Sequence, residues 1–267
     1  MTRLITDWLK DPEEKFLKYD RKLRDITGLG IPALAYRAAG VQELAGSAIK
    51  SHKVAVVRFS TGEGVIGSFA ESVAAVIRNM GADVFIPDES DVSGIFAGLS
   101  EGAEIIFMAD DDRFIAVNIK TGVVAENDYA TARGYVEGLS LMAGGLSGRE
   151  VLQIGYGRVG EKALEILLKA GAKVNVYDHD RYKTANIDDK RVNVLSELTL
   201  PLSGPVLDLT NEGGWLHPED ISDDVKISTP GVPLSLDEAA YLACRDRTIH
   251  DPLQLGTAVM FAMVLIT

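Results

Sequence analysis

The sequence predicts an α/β protein of two domains: an N-terminal Rossmann-like substrate domain with a helical lid, then a C-terminal NAD-binding Rossmann domain. Three observations predict it. Apolar strand-like runs alternate with helical patterns along most of the 267 residues, as in parallel sheets joined by helical crossovers. A glycine fingerprint, Gly155-x-Gly157-x-x-Gly160, directly follows one such strand and opens a helix. The pair Gly144-Gly145 separates two halves that each read as β-α-β successions, which sets the expected domains at 1–145 and 146–267.

Asp11-Pro12-Glu13-Glu14 starts a helix, with a capping aspartate, proline at the first position and acids facing the dipole. Phe16, Leu17, Leu23 and Ile26 form its apolar face and Gly28 ends it. The preceding segment carries Leu4, Ile5, Trp8 and Leu9, suited either to staple the terminus or to act as a lid. Strand 54–59, helix 65–80, strand 82–86, helix 92–99 and strand 104–108 then make a parallel half-unit. Segments 114–118 and 123–125 read as a hairpin across Lys120-Thr121-Gly122, and 128–143 as a helix. The second half offers strands near 151–154, 173–177, 192–194, 206–209, 225–228 and 248–250, enough for a complete Rossmann sheet. The last helix, near 257–266, is nearly all apolar. It is expected to be buried, between the domains or against a second copy in a homodimer.

Composition narrows the function. A hydrophobic share of 46% with 26 glycines and no long apolar run fits a soluble protein, with the cytoplasm as the expected compartment and no membrane partner. The net charge of −12 opposes nucleic acid and anionic membranes. Cys244 is the single cysteine, in an apolar helical stretch, so a buried thiol is expected. The four histidines show no metal-ligand spacing, and no metal site is expected.

The fingerprint assigns cofactor contacts to Gly155, Tyr156, Gly157, Arg158, Val159 and Gly160. The first glycine permits the tight turn, the second lets backbone approach a pyrophosphate, and the third lets helix and strand pack closely. The helix N-terminus then faces the phosphates. Asp178 ends the second strand about 20 residues on, where a carboxylate bonds ribose hydroxyls and repels a 2′-phosphate. This favours NAD, with Arg181 nearby leaving NADP open. Thr210 and Asn211, then Ser228, Thr229 and Pro230, follow later strands where contacts to the nicotinamide half are expected. A second glycine run, Gly62-Glu63-Gly64-Val65-Ile66-Gly67, carries an acid and stands two residues beyond its strand. It reads as a substrate loop or a plain turn before a helix.

The strand ending at Met108 runs into Ala109-Asp110-Asp111-Asp112. Strand carboxyl ends face the ligand crevice in open α/β sheets. Adjacent acids oppose one another's ionisation, so one carboxyl is expected to be raised toward a general base's range. The alternative is a solvated turn with a helix cap.

These segments together resemble the dehydrogenase family that completes pyrrolysine biosynthesis, the PylD family. The markers are Val65-Ile66-Gly67-Ser68-Phe69-Ala70-Glu71-Ser72, Asp91-Val92-Ser93-Gly94, Met108-Ala109-Asp110-Asp111, Ile227-Ser228-Thr229-Pro230-Gly231-Val232-Pro233, and Pro252-Leu253 with Gly256-Thr257-Ala258. The resemblance implies NAD-dependent oxidation of a dipeptide-like small molecule, a lysine bearing a 3-methylornithinyl group on its side-chain nitrogen. Its terminal amine becomes an imine, ammonia leaves, and a pyrroline ring closes. Asp110 resembles the family's base. Thr61, Ala109 and Asp251 match substrate-contacting positions, Phe59 is grouped with them, and Leu4 falls in the lid helix. Ser60-Thr61-Gly62-Glu63-Gly64 and Asp251 depart from the family's expected threonine-serine-glycine-asparagine-glycine and glutamate. Other two-domain amino-acid or tetrahydrofolate-type dehydrogenases commonly use a lysine in the substrate domain, and no lysine stands at a strand carboxyl end next to the expected cleft. A non-catalytic NAD-sensing protein needs no base, so Asp110→Asn separates it from an enzyme.

Overall fold

The computed structural model describes residues 11–42, 49–60 and 68–265. The described residues divide into two compact units, those within 11–21, 30–130 and 253–265 in one and 22–29 with 131–252 in the other. The division falls inside α1 (Pro12–Thr27) and inside α5 (Asn127–Ala143).

The first unit holds α2 (Ile31–Ala39), β1 (Lys53–Val57), α3 (Phe69–Asn79), β2 (Asp83–Phe85), α4 (Asp91–Ser100), β3 (Ile105–Ala109), β4 (Phe114–Asn118) and β5 (Val124–Glu126). Its sheet runs β2-β1-β3-β4-β5. The first three strands are parallel, and β4 and β5 are added antiparallel. Val54 to Val57 and Ile105 to Phe107 are buried, as the continuous apolar runs of a two-sided parallel sheet require. Helix α4 approaches β1 closely because it presents glycines: a Cβ on Gly94 would stand 2.7 Å from Val57 Cγ1, and one on Gly98 3.0 Å from Ala55 Cβ.

Helix α9 (Gln254–Val264) belongs to this unit. The sequence reading carried it with the second domain. Its residues from Leu255 to Ala262 are buried, and it packs on α2, α3, β4 and β5. Asn118 Nδ2 donates to Val264 O at 2.8 Å. An all-round apolar helix needs cover on every side, and the small first sheet with its helices supplies it.

The second unit contains β6 (Glu150–Ile154), α6 (Arg158–Lys169), β7 (Lys173–Tyr177), α7 (Arg181–Thr184), β8 (Val192–Val194), β9 (Pro205–Asp208), β10 (Lys226–Thr229), α8 (Glu238–Cys244) and β11 (Thr248–His250). All six strands are parallel in the order β11-β10-β9-β6-β7-β8, the Rossmann arrangement 6-5-4-1-2-3. Ile154, Val206, Leu216, Val225, Ile227 and Leu236 form its core with Cys244. The Cys244 thiol is buried and donates to Ala240 O at 3.2 Å.

Candidate functional site

In the second unit, Ile154 lies level with Tyr177 on one side and Asp208 on the other, so the residues following β6, β7 and β9 emerge at one edge. The turn after β6 is made by its glycines. Gly155 has φ +94°, and a Cβ there would stand 3.0 Å from the Leu209 carbonyl. A Cβ on Gly160 would meet Gly155 O at 2.6 Å. A Cβ on Gly157, in contrast, meets nothing within 4 Å. That position is open space over the start of α6, where the first helical N–H groups lack intrahelical acceptors. The residues present therefore fit a dinucleotide's pyrophosphate.

Asp178 is buried at 7% exposure. Its carboxylate accepts from Tyr156 N at 2.7 Å and from Asp180 N at 2.9 Å, which ties the glycine turn to the end of β7. Lys183 Nζ and His179 Nδ1 stand 3.8 and 3.9 Å from the same carboxylate. The Arg181 guanidinium donates to Ser196 O at 3.1 Å. Tyr156 is half-buried, and burial, then Glu161 and Glu165, push its phenol up, so it is neutral at physiological pH. Arg158 is exposed and Val159 half-buried at the helix start.

On the other side of β6, Thr210 is half-buried and Asn211 exposed. Ser228 and Thr229 are fully buried. The Ser228 hydroxyl donates to Tyr135 O at 2.8 Å, and Thr229 Oγ1 accepts from Gly231 N at 3.0 Å. Both side chains thus serve the protein's own packing, Thr229 O lies 3.2 Å from His250 Nδ1, and Pro230 beside them is half-buried.

Sequence reasoning passed over two buried polar groups here. Asp208 is fully enclosed. It accepts from Thr210 N at 3.0 Å and Thr210 Oγ1 at 2.8 Å, and from the Ser235 hydroxyl. Burial pushes its carboxyl above the usual range against those bonds. Gln153 is 0% exposed, and its Nε2 donates to Gly155 O and Gly160 O, both at 3.0 Å. The signal was present in each case, since a polar residue inside an apolar strand next to a glycine turn must have a partner.

Asp251, after β11, is 4% exposed. The single proton of the Tyr135 hydroxyl is shared between Asp251 Oδ2 at 2.8 Å and the Asp251 carbonyl at 2.6 Å, and the same hydroxyl oxygen accepts from Asp251 N at 3.2 Å. His250 is half-buried, and burial holds its imidazole below the usual value.

In the first unit, Val57 lies level with Met108, so Phe59 and Asp110 follow neighbouring strand ends. Phe59 is half-buried and packs on Ala55, Val57, Ala103 and Ile106. Ala109, half-buried, is the last residue of β3 and pairs with Phe114. The acidic run is the hairpin connection between β3 and β4. Asp110 N donates to Arg113 O at 2.9 Å, while Asp110 Oδ1 accepts from Arg113 N at 2.7 Å and Asp112 N at 2.9 Å. This corrects the expectation of a raised carboxyl. The backbone N–H groups of Arg113 and Asp112 hold Asp110 below the ordinary aspartate value. All three acids are exposed, so water screens their mutual repulsion while direct N–H bonds favour the anion. Nor does the run cap a helix; it turns the chain into β4.

Asp91 fastens the exit of β1: its carboxylate accepts from Ser60 N at 2.8 Å and from the Ser60 and Ser90 hydroxyls at 2.7 and 2.9 Å. Leu4, Thr61 and the run Gly62 to Gly67 lie outside the described residues.

Comparison with known proteins places the chain. Residues 9–125 match the family described as "Pyrrolysine biosynthesis protein PylD, N-terminal domain". A protein named "Pyrrolysine synthase" from Methanosarcina barkeri (strain Fusaro / DSM 804) is 32% identical over 99% of this chain and 98% of its own length. One of the same name from Methanosarcina acetivorans is 30% identical over 99% and 100%. Among solved structures, quinate dehydrogenase from Corynebacterium glutamicum, in complex with NAD, superposes with a TM-score of 0.50. It shows 12% identity, covering 80% of this chain and 94% of that one, a likeness of fold alone. The end-to-end identity with the two Methanosarcina proteins settles the kinship: the chain belongs to the pyrrolysine biosynthesis protein PylD family.

Proposed function

We propose that this protein oxidises the terminal primary amine of a lysine carrying a 3-methylornithinyl group on its side-chain nitrogen, with NAD as acceptor, and so forms pyrrolysine. The observation that carries this reading is an intact dinucleotide cradle in a chain related end to end to two pyrrolysine synthases. When bound, the nicotinamide supplies a hydride acceptor. The chain's own residues do the rest. Gly155, Gly157 and Gly160 admit the pyrophosphate against backbone, and Arg158 and Val159 start the helix that faces it. The Asp178 carboxylate accepts ribose hydroxyls and repels a 2′-phosphate, which favours NAD over NADP. Thr210, Asn211 and the 228–230 backbone line the strand ends beyond.

Asp110 receives the substrate's ammonium. Its Oδ1 is engaged by two backbone N–H groups, so Oδ2 is the atom that meets the cation. An alkylammonium has no lone pair to assist loss of hydride from its carbon, so one proton must first leave nitrogen. In water that transfer to a carboxylate spans about 6.5 pH units, roughly 9 kcal/mol. Excluding water raises the carboxyl and lowers the ammonium, narrowing the gap. The substrate C–H bond then breaks with its electron pair leaving as hydride, and the carbon becomes an iminium. The ornithine α-amine adds to that carbon, ammonia departs, and the ring C=N forms. Ala109 directly precedes Asp110; Ala109, Phe59 and Asp251, with Leu4 and Thr61, enter as substrate contacts only from the family resemblance.

The test mixes purified protein, NAD and lysine-Nε-3-methylornithine, following NADH absorbance and product mass together. Equal amounts of NADH and a pyrroline product are expected. NAD binding without turnover would move the reading to another amine and leave the cradle standing.

A further inference from the structure

The geometry points to Gln153 as a positioning residue for the cofactor, the side chain that holds the glycine turn in its ligand-ready shape. This rests on reading the turn as a dinucleotide site. Gln153 is completely buried between Val151 and Ile154 neighbours that are apolar and equally enclosed. Burying an amide costs free energy unless its hydrogen bonds are made. Both Nε2 hydrogens are used, one on Gly155 O and one on Gly160 O, each at 3.0 Å. Those carbonyls stand at the entry of the turn and in the first turn of α6, five residues apart. One planar amide therefore spans the turn and sets the separation of its two arms.

Two further observations give the amide this task rather than core filling. Its Oε1 has no hydrogen-bond partner among the described residues. A leucine or methionine would fill the same space without an orphaned acceptor, so filling does not explain a glutamine. And the space Gly160 leaves is the space the amide uses: a Cβ on Gly160 would lie 3.2 Å from Nε2 as well as 2.6 Å from Gly155 O. The third glycine and the glutamine are one construction. Asp178 grips the outer side of the same turn through Tyr156 N at 2.7 Å. The loop is thus held from inside and outside before any ligand arrives, and binding does not have to order it.

Gln153→Met keeps the length and removes both donors. Gln153→Glu keeps the shape and turns acceptors toward two carbonyls. Calorimetry measures ADP-ribose, which carries the pyrophosphate, and competition measures adenosine, which carries none. ADP-ribose affinity is expected to fall about tenfold in Gln153→Met and further in Gln153→Glu, with adenosine affinity unchanged. Equal losses for both ligands, or no loss, would overturn the inference while the dinucleotide site stands. Wild-type protein that binds neither ligand would overturn the site itself. Hydrogen exchange on the wild type gives a second reading that needs no variant to fold. The Tyr156 and Glu161 amides, bonded to Asp178 and Gly157 O, should be protected in the free protein. Exchange at open-chain rates until ADP-ribose is added would sink the idea.

Discussion

The turn after β6 and the turn after β3 both leave the carboxyl end of a parallel strand, yet the first is held by buried side chains and the second by its own backbone. Gln153 and Asp178, both buried, clamp the Gly155–Gly160 turn from two sides. The Asp110–Arg113 turn closes on itself, with one exposed carboxylate oxygen accepting two N–H groups. The difference bears on the chemistry proposed for each. A backbone-lined hollow at a helix start suits a ligand that brings negative charge. An exposed anion on a short hairpin suits recognition of a cation. It also shows which electrostatic effect wins in the acidic run: N–H contacts below 3 Å outweigh repulsion between carboxylates that water screens.

The strongest way to break this comparison is Asp110→Asn. The amide oxygen can still accept from Arg113 N and Asp112 N, so the hairpin survives while the charge and the proton acceptor go. Turnover of the amine is expected to fall by about 10²–10⁴, with NAD affinity by calorimetry unchanged. Asp111→Asn and Asp112→Asn should leave turnover close to wild type. Retained activity in Asp110→Asn would remove the base from the first unit altogether.

The two glycines with opposite surroundings sharpen the other side. Gly157→Ala places a methyl in open space, so thermal stability should change by no more than about 1 kcal/mol. If the pyrophosphate lies there, as proposed, the methyl would occupy its volume, and NAD affinity should fall about tenfold to a hundredfold. Gly160→Ala forces a Cβ to within 2.6 Å of Gly155 O, so it should lower affinity and also cost about 1–3 kcal/mol of stability. If Gly157→Ala bound NAD as the wild type does, the pyrophosphate would not lie over this turn.

A smaller effect is expected at Asp178. Replacing it with asparagine removes the negative charge that a 2′-phosphate would meet. The ratio of NADP to NAD affinity should rise by about tenfold, roughly 1.4 kcal/mol. An unchanged ratio would place cofactor choice elsewhere, with Lys183 and His179, both within 4 Å of that carboxylate, the next residues to change.

Sequence reasoning reached the Rossmann sheet and its turn because these depend on local patterns: an apolar strand, three glycines at fixed spacing, an amphipathic helix, a second strand with a terminal acid. Each was found at its expected place. It missed what depends on three-dimensional cover. Helix α9 reads as buried from composition alone, but nothing local says that α2, β4 and β5 supply the cover. The helix α2 itself, nine residues with proline near its start and Gly40 at its end, was passed over beside the stronger patterns around it. The direction of the shift at Asp110 went against the expectation that adjacent acids raise one carboxyl, because the strand pairing of β3 with β4, which brings Arg113 N back to the carboxylate, joins segments that the sequence presents as strand, acidic loop and a separate hairpin.

The last prediction concerns that inversion and is the smallest in size. Carbon-13 titration of the carboxyl groups should place Asp110 below the ordinary aspartate value of about 3.9, in the direction its two N–H donors impose. The folded state then binds fewer protons at this site than the unfolded chain does. Its contribution to stability is therefore fully present above the ordinary carboxylate range and is lost as the pH falls through the lower folded value. Asp110→Asn should remove that part of the acid dependence, measured by denaturation as the pH is lowered through and below the ordinary aspartate value of about 3.9. A titration above the ordinary value would mean that the three acids repel strongly enough to outweigh the hairpin's own N–H groups. The free protein would then already carry a tuned base. With the lower value, the turn presents an anion whose basicity has to come from the loss of water around a bound ammonium.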